Sequence, residues 1–140
     1  MLRLIIVGID GATFSLMLPW MERGELPFLR RLYARGCRAV LRSTIPPTTP
    51  PAWTSLASGV NPGKHGLYGF QKRIGNTYRL KLPSSTDVRV PRIWDYASEY
   101  GLRCIVVNYP VTYPPRINGG VMVSGMFSSS TGGDKIIYPR

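Results

Sequence analysis

At 140 residues with an apolar fraction of 44%, the chain can bury one core, is expected to form one domain, and is excluded from the class of disordered tails. No apolar run approaches the roughly 20 residues that cross a bilayer, so no membrane partner is expected. Eighteen Lys and Arg against seven Asp and Glu give a net charge of +11, which favours anionic partners such as phosphate esters or nucleic acid.

Residues 4–9, Leu4-Ile5-Ile6-Val7-Gly8-Ile9, are a short apolar run of the kind that forms a strand buried on both faces of a parallel sheet. The run ends at Asp10 before any cleavage-site pattern, so no secretory leader is expected and a cytoplasmic location is the default. Asp10 then lies at the carboxyl end of a strand, where open α/β sheets bind ligands. Residues 27–35 carry Phe28, Leu29, Leu32 and Tyr33 at helical spacing between Pro27 and Gly36. A short strand is expected over 37–41. Cys37 and Cys104 are far apart, each in an apolar context, and are expected as buried thiols rather than a disulfide or metal pair.

In the block Thr48-Thr49-Pro50-Pro51-Ala52-Trp53-Thr54, Thr49 reads as a helix N-cap, Pro50 as the first helical residue and Gly59 as the stop. Backbone N–H groups and the positive end of the helix dipole would then converge near Thr49, where a phosphate can be held. A Thr-Pro pair taken alone more often simply caps a helix. Asn61-Pro62-Gly63 predicts a turn, and 70–82 a two-stranded ribbon turned at Gly75-Asn76. A helix over 92–100, a buried strand over 103–108, a further strand over 121–123 and a Ser/Gly-rich loop over 125–134 follow. This alternation predicts an α/β fold with a mainly parallel sheet flanked by helices. The basic residues are spread over the 27–35 helix and the 70–82 ribbon, as on a solvated face, without a long basic tract.

Gly8-Ile9-Asp10-Gly11-Ala12, the block from Ser43 to Thr54, and Ser58-Gly59-Val60-Asn61-Pro62-Gly63-Lys64-His65-Gly66 occur in that order along the chain. Ile93-Trp94-Asp95 and Asn108-Tyr109-Pro110-Val111-Thr112-Tyr113-Pro114-Pro115 continue the series. Together they resemble the amino-terminal part of the type I phosphodiesterase/nucleotide pyrophosphatase family of the alkaline phosphatase superfamily. The resemblance covers nearly the whole chain and implies an alkaline-phosphatase-like catalytic domain, present as its amino-terminal part over 1–140 with a hairpin insertion near 70–82. It implies a hydrolase acting on phosphate esters, with two divalent ions, zinc by the family pattern. Asp10 would be a metal ligand, and Thr49 would be the nucleophile and itself touch a metal.

Metal-assisted phosphoryl transfer in this superfamily uses several Asp and His ligands. The sequence holds one His, His65, in a Lys-His-Gly motif that in the family is not a ligand. An incomplete site is therefore expected: a fragment or one half of a split protein, completed by a missing carboxyl-terminal half or by a homo-oligomer. Phe70 stands where family nucleotide pyrophosphatases place a phosphoryl-binding Asn, which weakens the case for a nucleotide substrate. Trp53 replaces a Tyr beside the nucleophile helix and reads as core or as pocket wall. Lys64 and Asn108 are candidate substrate-binding residues, with a solvated lysine the ordinary alternative for the first. The rival function is a non-catalytic basic protein that binds nucleic acid or an acidic partner.

Overall fold

The computed structural model describes residues 4–128 and 133–139. They fall into two compact units, Met1–Arg42 and Ser43–Arg140. In the first, residues 4–9 form no strand, and Leu4, Ile5, Ile6, Val7 and Ile9 stand 54–77% exposed. The buried strand expected there is not formed. An apolar run measures what a segment would gain from burial, whereas a strand also needs a neighbour for its N–H and C=O groups. No ladder includes these residues.

Helix α1 (Phe14–Glu22) follows, unanticipated because Pro19 lies inside it and removes a helical donor. Met21 is buried and anchors it. Helix α2 (Pro27–Arg35) opens on Pro27 and closes where the Gly36 N–H donates to the Leu32 carbonyl at 2.8 Å, as its sequence predicts. The Phe14 and Tyr33 rings meet edge to face at 5.7 Å, joining the two helices. The strand expected over 37–41 is absent; Val40 and Leu41 are exposed, and so is Cys37, whose thiol is therefore not buried.

The second unit opens with α3 (Thr49–Ser58) and α4 (Pro62–His65), the latter a single helical turn where a plain turn was expected. Asn61 caps α4 by accepting the Lys64 N–H on its side-chain oxygen at 3.3 Å. Strands β1 (Lys72–Arg73) and β2 (Leu80–Lys81) pair antiparallel inside the expected ribbon. A 3-10 turn at Ser85–Asp87, helix α5 (Ile93–Glu99), β3 (Cys104–Tyr109), β4 (Gly120–Ser124), a 3-10 turn at Gly133–Ile136 and β5 (Ile137–Tyr138) complete the unit. Strand β3 runs parallel to β4 and β5 antiparallel to it. Gly120, opposite Cys104, must lack a side chain, because a Cβ there would run into the Cys104 backbone.

The described sheets are thus small and mixed, in a mixed α/β arrangement, with one parallel ladder of three. Cys104 and Val106, on one face of β3, pack on the core formed by Ala57, Trp94, Ile117 and Met122. The other face is open: Ile105 is 78% and Val107 64% exposed, so the strand expected to be buried on both sides is buried on one. The loop expected over 125–134 lies partly outside the described residues, at 129–132. No described helix is long and apolar enough to cross a membrane.

Candidate active site

Thr48, not Thr49, is the N-cap of α3. Its backbone is extended (φ −113°, ψ 157°), and its carbonyl accepts the first helical bond from the Ala52 N–H at 3.0 Å. Thr49 is consequently the first helical residue, followed by Pro50 and Pro51, both buried. Neither proline carries an N–H. An N-cap hydroxyl normally accepts from the second or third helical N–H, and here those positions are prolines. The Thr48 Oγ1 is accordingly buried without a hydrogen-bond partner. The expected convergence of several backbone donors near Thr49 is not formed; the dipole end remains, with Thr49 the sole N–H among the first three helical residues.

The helix that carries Thr49 is pinned from behind by His65, which is fully buried. The Leu67 N–H donates to Nδ1 at 3.2 Å, which assigns the ring proton to Nε2, and Nε2 lies 2.9 Å from the Ser55 Oγ. Burial pushes the His65 pKa below its ordinary value, a backbone hydrogen bond to Pro51 opposing the shift. Both ring nitrogens are engaged, so His65 fastens α4 to α3 and is not placed as a metal ligand. Ser55 is a partner the sequence does not reveal, since nothing in a ten-residue separation marks the pair.

Removing the imidazole is expected to cost about 2–4 kcal/mol, the range for emptying a buried site and orphaning its partners. The pH dependence has a defined sign. The unfolded chain takes up the proton near pH 6.5 while the folded one resists it, so stability is full above about pH 6.5 and is lost as pH falls below it. Urea midpoints across pH 5–8 should therefore fall on the acid side for the native chain and lose that component in His65→Asn. Identical slopes for the two chains would contradict the buried neutral imidazole.

Strand β3 meets α3 at its carboxyl end. The Tyr109 hydroxyl donates to the Trp53 carbonyl at 2.6 Å, and its ring meets those of Trp53 and Trp94 edge to face, each at 5.1 Å. Burial pushes the Tyr109 pKa upward, so its hydroxyl stays protonated as a donor. Trp53 therefore packs as a half-buried aromatic one helical turn beyond Thr49. Asn108 precedes this contact at a break in the β3–β4 register, with φ 55° and an exposed side chain. Gly125 lies so close to the Asn108 and Tyr109 backbone that a Cβ would collide with it, and its N–H donates to the buried Thr112 Oγ1 at 3.0 Å. Tyr109 and Thr112, which hold this corner, carry no signal in the sequence beyond the Tyr-Pro-Val-Thr run.

Lys64 is exposed on α4. Asp10 belongs to the first unit, in a turn with Gly11 (φ 69°), and borders a cavity of about 300 Å³ walled by Ile9, Leu16, Met17 and Trp20. Thr49, Lys64 and Asn108 belong to the second unit.

Two zinc-like ions require about four ligands each. Asp10 and Thr49 offer one carboxylate and one hydroxyl, and the one imidazole in the sequence is committed to Ser55 and Leu67. Among the described residues no group of three or more His, Cys, Asp or Glu is placed to hold an ion. The described donors do not by themselves fit a two-ion centre.

A family model described as type I phosphodiesterase / nucleotide pyrophosphatase matches residues 4–130, a span that includes Asp10, Thr49, Lys64 and Asn108. Comparison with curated proteins and with solved structures gives no match.

Proposed function

We propose a function from one premise: the chain belongs to the type I phosphodiesterase / nucleotide pyrophosphatase family. That membership implies hydrolysis of phosphate esters. The finer reading assigns Thr49 as the nucleophile and Asp10 as a metal ligand, in one alkaline-phosphatase-like catalytic domain whose remaining ligands come from another polypeptide segment. The observation that carries it is the placement of Thr49 at the first residue of α3, on a helix locked by His65 and Tyr109.

The Thr49 Oγ1 attacks phosphorus, an Oγ1–P bond forms and the bond to the leaving oxygen breaks, and the hydroxyl proton ends on that oxygen. Water then attacks the phosphothreonine, releasing the phosphate product and returning a proton to Thr49. Proline at the next two positions shapes this step. Without their N–H groups the helix start offers the phosphoryl oxygens few donors, so compensation must come from groups outside α3, with the Lys64 ammonium as positive charge and the Asn108 amide as a neutral donor the candidates in the same unit.

The test is hydrolysis of bis(p-nitrophenyl) phosphate by the native assembly recovered on a tagged chain. Thr49→Ala should lower the rate by about 10³-fold or more and Thr49→Ser should retain part of it, the scale for loss of a covalent nucleophile. Undiminished turnover in Thr49→Ala would remove Thr49 from the chemistry while leaving the family membership intact.

A further inference from the structure

The ribbon that carries β1 and β2 is turned inside out. Lys72 and Lys81 are opposite one another in the register and therefore share a face, as do Arg73 and Leu80 on the reverse face. The lysine face is turned toward the body of its unit: both ammonium groups reach the Asp87 Oδ1, at 3.0 and 2.9 Å. Asp87 is buried and also takes the Ser84 N–H and hydroxyl on its other oxygen at 3.0 and 2.9 Å. Although burial acts against its charge, the hydrogen bonds from the two lysines and Ser84 hold its carboxyl well below the ordinary range.

An amphipathic ribbon normally turns its apolar side inward. Here the opposite side faces water. Tyr78 is 96% exposed, and Leu80 and Leu82, two and four positions further along the same alternation, are more than half exposed. Ile74 at the turn is also exposed. The Arg73 guanidinium lies 5.9 Å from the Tyr78 ring, which places a cation among these apolar groups. Arg79, which the same alternation puts on the lysine side, is exposed and lies between Tyr78 and Leu80 in the chain, and residues 70–82 contain no Asp or Glu. Asp87, the carboxylate paired with the ribbon among the described residues, is already shared by two lysines.

We propose that this hairpin docks the protein on an anionic lipid surface, with Tyr78, Leu80 and Leu82 entering the headgroup boundary and Arg73 and Arg79 pairing with lipid phosphates. Charge complementarity selects the occupant: the patch carries uncompensated cations around an apolar centre, in a chain of net charge +11. The aliphatic side chains select lipid over nucleic acid. Bases stack on Tyr and Arg, but Leu80, Leu82 and Ile74 gain nothing from a base edge and gain burial in hydrocarbon. Tyr at the boundary between water and acyl chains fits the same surface. The proposal departs from the expectation that no membrane partner is involved, which rested on the lack of a run long enough to span a bilayer, whereas a two-stranded ribbon of this length would lie on a surface.

The experiment is co-sedimentation of the full chain with vesicles of phosphatidylcholine alone and of phosphatidylcholine with 30% phosphatidylserine (about 30 mol%, within the range of natural anionic leaflets). Binding should appear on the anionic vesicles and weaken with salt. Roughly fivefold should be lost per arginine in Arg73→Gln/Arg79→Gln, the scale for one basic side chain at such a surface. Tyr78→Ser/Leu80→Ser, which leaves every charge in place, should lower partition by tenfold or more. Arg30→Gln/Arg31→Gln on α2 removes equal charge from the other unit and should lower partition less than the hairpin pair does. Circular dichroism of each variant verifies the fold, and Lys72, Lys81 and Asp87 are left untouched. Equal binding to both vesicle types, equal loss in the α2 control, or full binding by Tyr78→Ser/Leu80→Ser would each overturn the proposal. So would capture of a single-stranded oligonucleotide by this hairpin with no binding to vesicles.

Discussion

The isolated 140-residue chain, supplied with zinc, should hydrolyse an activated phosphodiester at a rate at least about 10³-fold below that of the completed assembly. The expectation rests on ligand chemistry. A metal centre that activates a hydroxyl and offsets charge on a transferring phosphoryl group contributes several kcal/mol to the transition state, and each 1.4 kcal/mol is a factor of ten. Asp10 and Thr49 offer two donors, and His65 cannot join them without breaking its bonds to Ser55 and Leu67. Recruiting it would also leave the Leu67 N–H without its acceptor inside the unit, at a cost of about 1–3 kcal/mol. Zinc binding measured by calorimetry should be correspondingly weak. Robust zinc-dependent turnover by the chain alone, abolished by Thr49→Ala, would show that the chain completes the centre by itself.

The second large effect is on association. Among the described residues, strand β3 is at the edge of its three-stranded sheet and pairs with β4 alone. Its residues, Cys104 to Tyr109, include no charge and no proline, the devices that normally blunt an exposed edge. Ile105 and Val107 present an apolar face beside that open edge, and residues 4–9, which form no strand, present further exposed aliphatic groups. The chain by itself should therefore form dimers or larger species at micromolar concentration. The species should persist at 0.5 M salt (about 4–5 Å of Debye screening), because apolar contacts survive where charge-driven ones do not. Ile105→Lys/Val107→Lys should shift light scattering toward monomer. A monodisperse monomer with a cooperative unfolding transition would mean that these residues close their own core.

Local signals were legible where the physics is local. Pro27 and Gly36 bracket α2, Gly101 stops α5, and Gly75-Asn76 turns the ribbon, because caps and turns depend on a few adjacent residues. The helix start at Thr49 was placed within one residue, and the slip mattered: two prolines at the second and third helical positions remove the donors that an N-cap assignment implied. Segments 4–9 and 37–41 read as strands but find no ladder, since pairing is decided by another part of the chain and not by the run itself. Helix α1 was hidden by its internal Pro19. The motifs that point to the family were all visible. The inward turn of Lys72 and Lys81 onto Asp87, and the tie from His65 to Ser55, were not, because each depends on side chains that only the fold brings together.

The assignment of Thr49 is tested most directly by rapid acid quench of the native assembly during turnover of a phosphodiester, followed by mass spectrometry of the peptide that spans α3. The account predicts a covalent phosphoryl adduct on Thr49, accumulating before steady state and absent in Thr49→Ala together with the activity. Turnover without an adduct on Thr49, undiminished in Thr49→Ala, would contradict it.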